Sequence, residues 1–176
     1  SCSVISGFTP PSAFSVSADR RRFAMRTIIA ASGVPGMLYM GTDSGLMISD
    51  DNGASWHSFT DLRKTLTGET DIAALATDGT AVYAGGERGG DGFIYETADR
   101  FFTVTPVFTA PGSPVRALAF SSERLMIGLA DGRVLSYDPV NHSFRPLAAL
   151  GSPIVGIHAG DGDAVYVATI AAGMFV

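Results

Sequence analysis

Short runs of Val, Ile, Leu, Ala and Tyr alternate along the chain with Gly, Pro, Asp and Ser clusters, and one apolar phrase recurs four times. It runs over residues 27–31, a turn at 33–36, then 37–41; over 72–76, Asp78-Gly79, then 81–85; over 115–120, a turn at 121–123, then 125–128; and over 154–158, Asp161-Gly162, then 164–168. The equivalent positions Gly41, Gly85, Gly128 and Ala168 are 44, 43 and 40 residues apart. A third strand follows each at 45–49, 92–96, 132–137 and 173–176, and a fourth, more polar one near 56–59, 102–108 and 143–147. No apolar stripe at 3.6-residue spacing is sustained, so helices are not predicted. Four antiparallel strands in every 40–45 residues read as one blade of a β-propeller. A β-sandwich also spaces strands this closely, but it does not require the same inner phrase four times.

The predicted organisation is therefore all-β, about four four-stranded antiparallel blades, forming either a complete small propeller or part of a larger one. Residues 1–26 are an N-terminal segment. The blades span about 27–66, 67–110, 111–150 and 151–176, the last lacking its outer strand. An unfinished blade would expose an apolar edge, which sheets avoid. Either the N-terminal segment supplies the strand, from 13–18 or 22–25, or a second copy or separate polypeptide completes a larger ring. Inner strands rich in Ala and Gly favour the larger ring.

Composition narrows the chemistry. Hydrophobic residues make up 46% of the 176 and charged residues 16%, which is a folded composition. The net charge of −5 repels phosphate, and the only basic cluster is Arg20-Arg21-Arg22, so no nucleic-acid partner is predicted. No apolar stretch approaches the ~20 residues of a membrane span. The N-terminus lacks the basic-then-apolar order of a signal peptide, so an exported form would be mature or a fragment. Cys2 stands alone, which excludes an internal disulfide. The compartment is left open, with an extracellular or periplasmic setting favoured over a cytoplasmic one.

Between the third and fourth strands of the first repeat lies Ser49-Asp50-Asp51-Asn52-Gly53-Ala54-Ser55-Trp56. It resembles an Asp box, or BNR repeat, of pattern Ser/Thr-x-Asp-x-Gly-x-Thr/Ser-Trp. Such boxes occur in sialidase-like, xyloglucanase-like, sortilin-like and photosystem-assembly-factor-like propellers. Ser49, Asp51, Gly53, Ser55 and Trp56 fill the defined positions, and the resemblance implies a blade hairpin and no particular activity. Asp51 is expected to accept backbone N–H groups across the turn. Trp56 is expected to plug the gap between its sheet and the next. The second and third repeats keep a turn and an aromatic residue here, but not the motif.

Catalytic chemistry is thin. Sialidases carry an arginine triad, a tyrosine nucleophile and an Arg-Ile-Pro motif, and the last is missing here. Xyloglucanase-type enzymes need two carboxylates across a cleft between two propellers. His57, His142 and His158 lack metal-ligand spacing, and no serine sits in a Gly-x-Ser-x-Gly elbow. The glycine-rich stretch 85–92 lacks the helix and Lys-Ser/Thr of a phosphate loop. No catalytic residue, metal or cofactor is predicted. Binding is expected at the rim opposite the Asp box, where loops 42–44, 87–91, 130–131 and 169–172 meet entry loops 62–71, 110–114 and 150–153. Asp43, Glu87, Arg88, Asp91 and Asp131 are the binding candidates. The predicted role is a non-catalytic interaction or assembly module for a protein partner, the alternative a fragment of a carbohydrate-binding or glycoside-hydrolase propeller.

Overall fold

The computed structural model describes residues 24–30, 35–59, 70–98, 103–160, 164–171 and 173–176. Four antiparallel sheets follow one another along the chain as the four blades of a β-propeller. Blade 1 contains β1 (Met25–Ala30), β2 (Leu38–Thr42), β3 (Gly45–Ser49) and β4 (His57–Ser58). Blade 2 contains β5 (Thr70–Thr77), β6 (Val82–Arg88), β7 (Asp91–Thr97) and β8 (Thr105–Ala110). Blade 3 contains β9 (Val115–Ser121), β10 (Arg124–Leu129), β11 (Arg133–Asp138) and β12 (Ser143–Ala149). Blade 4 contains β13 (Ile154–Ala159), β14 (Val165–Thr169) and β15 (Gly173–Phe175), three strands among the described residues.

The inner strands β1, β5, β9 and β13 pack in that order. Each carries a bulge at the same point, which inserts Arg26, Ala73, Arg116 and Val155 respectively. Before the bulge stand Ile72, Val115 and Ile154, each 0% exposed. Each seats on a glycine of the preceding blade's second strand. A Cβ on Gly41 would lie 2.8 Å from Ile72 Cγ2, on Gly85 2.8 Å from Val115 Cγ1, and on Gly128 2.5 Å from Ile154 Cγ2. Glycine is thus required here by close approach, not by dihedral freedom.

Alternation along the strands gives each blade two buried faces. Blade 2 turns Leu75, Val82, Ala84 and Phe93 toward blade 1, and Ala74, Ala76, Tyr83 and Ile94 toward blade 3. The series breaks at its ends. Met25 holds the position of Ile72, just before the bulge, and is 60% exposed; Ala168 stands where the other blades have glycine. Tyr39 and Tyr83, each 1% exposed, are covered by the next blade, whereas the equivalent Tyr166 is 36% exposed.

Several expectations change. Met25 belongs to β1; residues 1–23, with Cys2, Arg20-Arg21-Arg22, the candidate closing segment 13–18 and the start of 22–25, lie outside the described residues. The fourth strand of blade 1 shrinks to two residues, and Trp56 precedes it. In blade 4 only Val167 and Thr169 of β14 are buried, so its second strand is not enclosed as in blades 1 to 3. The outer strand β12 is exposed along its length, Phe144 and Leu147 included, so this edge is less polar than expected.

The glycine seats yield a direct test. Gly85→Ala should cost about 1–3 kcal/mol, because Val115 and Leu118 must both shift. Gly156→Ala, whose Cβ would meet only Ala168 at 3.9 Å, should be neutral or stabilising by less than about 1 kcal/mol. Denaturant midpoints of the two variants measure the contrast.

Candidate functional site

One backbone bond recurs on the loop rim. The residue after the second strand donates its N–H to the carbonyl just ahead of the inner strand: Asp43 to Ala24 (3.1 Å), Ala130 to Pro114 (2.9 Å) and Ile170 to Pro153 (3.1 Å). Side chains add to it. Asp43 Oδ1 accepts the Ala24 N–H at 2.9 Å, and Asp91 Oδ1 accepts the Gly112 N–H at 2.8 Å. In blade 4 the roles reverse, and Ser152 Oγ accepts the Ala171 N–H at 3.1 Å.

The five rim candidates therefore act first as fasteners. Asp43 and Asp91 tie hairpins to entry segments. Asp131 is held below the ordinary carboxylate range: burial pushes it up, but hydrogen bonds from the backbone and guanidinium of Arg133 (3.0 and 2.7 Å) outweigh this. Arg88 donates to Thr70 Oγ1 at 2.8 and 3.1 Å. Glu87 pairs with Arg116 of blade 3 at 3.2 Å, and Arg26 of blade 1 pairs with Asp71 of blade 2 at 3.0 Å. Arg26 and Arg116 are the bulge residues, so the bulge aims a cation at a neighbouring blade. The stretch 87–91, expected as a loop, is mostly strand: only Gly89 and Gly90 turn, with φ of 61° and 90°, and Arg88 and Asp91 pair across them. Of the entry loops, 60–69 lies outside the described residues.

Glu87, Arg88 and Asp91 share the β6–β7 hairpin, Arg88 and Asp91 as register partners, while Asp43 and Asp131 stand on two other hairpins. Among the described residues, no three His, Cys, Asp or Glu side chains are placed to hold a metal ion.

At the opposite rim the hairpin of residues 49–56 forms as its residue types require. Asp51 Oδ1 accepts the Ser55 N–H (2.8 Å) and the Ser49 hydroxyl (2.8 Å), and Oδ2 accepts the Ser55 hydroxyl (2.6 Å). Ser49 Oγ accepts the Gly53 N–H at 2.8 Å, and Asn52 and Gly53 take φ of 60° and 86°. These bonds, the Ser55 hydroxyl's first, lower the Asp51 pKa to about 2. Trp56 does not plug the gap between blades. It stays partly buried, lies over Gly53 and donates from Nε1 to the Gly53 carbonyl at 3.1 Å.

Blade 3 keeps the same device without the motif. Asp138 accepts the Val140 and Asn141 N–H groups (3.0 and 3.1 Å) and the Asn141 side-chain amide (2.9 Å). His142, at φ 50°, brings Nδ1 within 2.9 Å of the Tyr137 hydroxyl. Nearby Glu96 is pushed up by burial, His142 partly offsetting it. Glu96 lies on β7, Tyr137 on β11 and His142 in the turn after β11, so the local sequence does not reveal the group.

No family model and no curated protein matches the chain. Solved structures do. The extracellular domain of BT4673 from B. thetaiotaomicron superposes with a TM-score of 0.67 at 14% identity, over 85% of this chain and 21% of that one. The RRP9 WD40 repeats superpose at 0.64 and 14% identity, over 85% and 46%. The computationally designed Ika4 protein superposes at 0.64 and 16% identity, over 92% and 93%. The chain thus spans about a fifth and under half the length of the first two, and the likeness shows a β-propeller fold.

Asp51 makes the box pH-sensitive. Its folded pKa lies below its unfolded value of about 4, so its stabilisation is complete above about pH 4 and is lost as the pH falls toward 2. The difference in thermal midpoint between the parent and Asp51→Asn should be largest near neutrality and close below pH 2. Trp56→Ala should cost about 1–2 kcal/mol, the scale for a half-buried aromatic, measurable by denaturant unfolding.

Proposed function

We propose that this chain is a non-catalytic interaction module of the Asp-box type that engages a protein partner through its loop rim. The observation that carries this reading is the way the rim aspartates are held. Asp43 and Asp91 each commit Oδ1 to backbone amides and leave Oδ2 without a bond among the described residues, while both remain exposed. Rigid, solvent-facing carboxylates on separate hairpins form a preorganised acidic surface, which suits a basic partner. They do not converge as a general acid and base must. The described rim residues include no aromatic side chain for a sugar ring to stack on, which supports a protein ligand over a glycan. The Asp51 hairpin, with every defined position engaged as the motif requires, supports kinship with Asp-box propellers.

The open face of blade 4 supports a second kind of partner. Tyr166 and Met174, 36% and 70% exposed, occupy the face that the next blade covers in blades 1 to 3. A blade from a second copy or another polypeptide fits that place. A dimer or larger assembly in solution, dispersed by Tyr166→Asp, supports it; a monomer at high micromolar concentration argues against it.

For the rim, basic peptides should bind with an affinity that falls as salt rises. Asp91→Lys combined with Asp131→Lys should weaken that binding by roughly tenfold, mostly in association rate. Binding indifferent to both reversals, or selective capture of neutral glycans, would sink the reading. Titration by fluorescence anisotropy at two salt concentrations decides it.

A further inference from the structure

Between blades 3 and 4, on the side away from the loop rim, the packing leaves a groove of about 370 Å³. Its origin is a change of side-chain size. Blade 3 fills the corresponding space against blade 2 with Phe120 and Leu125, the ring of Phe120 lying 5.2 Å from that of Tyr83. Phe120 and Leu125 are register partners, as Ala159 and Val165 are in blade 4. The smaller pair leaves the facing surface of blade 3 uncovered.

That surface is polar and cationic. Met126, Ser136 and Arg145 form one register row across β10, β11 and β12, and Arg124 lies two residues before Met126 on the same face. Ser121, Ser136, Arg124 and Arg145 all line the groove, and among the described residues no carboxylate does. Ser136 is only 2% exposed. Arg145 has no ion pair among the described residues, while Arg124 is steadied by Asp138 at 3.2 Å. A hydroxyl lining the groove beside an exposed guanidinium that makes no ion pair among the described residues forms a set of donors facing one space. Arginine presents a planar fork of donors and a hydroxyl adds one more, so the matching ligand is an acceptor-only anion.

We propose that this groove binds a small oxyanion, free or as the head of a larger ligand, with Arg145 as its principal charge partner and Ser136 as a hydrogen-bond donor. Arg124 adds charge from one side. Met126, Leu147 and Val165 supply an apolar wall for the ligand's remainder. The site is independent of the acidic loop rim and opposite to it in charge preference.

Sodium sulfate, phosphate and acetate serve as probes, titrated against the purified chain at ionic strength fixed with chloride and followed by amide chemical shifts and thermal midpoint. Expected is saturable binding of at least one, near a dissociation constant of ~1 mM, with shifts centred on Ser136 and Arg145. Sulfate or phosphate alone identifies a tetrahedral ligand, and acetate a carboxylate. Arg145→Gln should weaken binding about tenfold, and Arg145→Lys should restore part of it. Ser136→Ala should weaken it several-fold, while Ser136→Thr, which keeps the hydroxyl, should not. Both positions are read only after circular dichroism shows the parent fold. No saturable response to any of the three anions, or a response that Arg145→Gln leaves unchanged, overturns the proposal.

Discussion

The seating of one β-branched side chain on one glycine holds the blades in sequence. Ile72 on Gly41, Val115 on Gly85 and Ile154 on Gly128 bring neighbouring inner strands so close that a methyl group has no room. Everything further from the axis inherits its spacing from that contact. The outer strands need less precision, and β4 and β12 show it: one is two residues long and the other exposed throughout. Interiors transmit strain because they are close-packed, so a seat that widens moves two whole sheets.

The bulge beside each seat serves a second purpose. An extra residue on the inner strand turns one side chain out of the pleat. In blades 1 and 3 that residue is an arginine, and both arginines reach carboxylates of blade 2, Asp71 and Glu87. Exposed ion pairs of this kind contribute little to stability. Their effect is to fix the angle at which rim hairpins are presented, so the irregularity that seats the core also arranges the surface. Blades 2 and 4 carry Ala73 and Val155 there and make no such pair.

The repeat was legible because its cause is local. Small residues at the seats, apolar alternation on the inner strands and turn residues between them recur at nearly constant spacing in the sequence. The blade 1 hairpin was legible for the same reason, since all its partners lie within eight residues. Trp56 was misjudged because the gap it was expected to fill depends on where the neighbouring sheet ends, which local sequence does not encode. The roles of Asp43 and Asp91 were hidden too, since their partners Ala24 and Gly112 lie 19 and 21 residues away. Residues that read as binding groups were partly fasteners.

Blade 3 shows how a repeat acquires individuality without losing its place. Its face toward blade 2 carries Leu118, Phe120, Leu125, Ile127 and Tyr137; its opposite face carries Ala117, Ala119, Gly128 and Ser136 beside Met126 and Val134. Large side chains from one blade fill the space that small ones leave on the next, and the sum of the two, not either size alone, is constrained. Blade 4 answers with Ile154, Ile157 and Val167 near the axis, where the seat demands contact. Farther out the demand relaxes, and Ala159 and Val165 stand where blade 3 has Phe120 and Leu125. Packing is tightest at the seats and looser at that radius. A groove lined by arginines and serines can therefore arise there at little cost to the contacts that hold the blades.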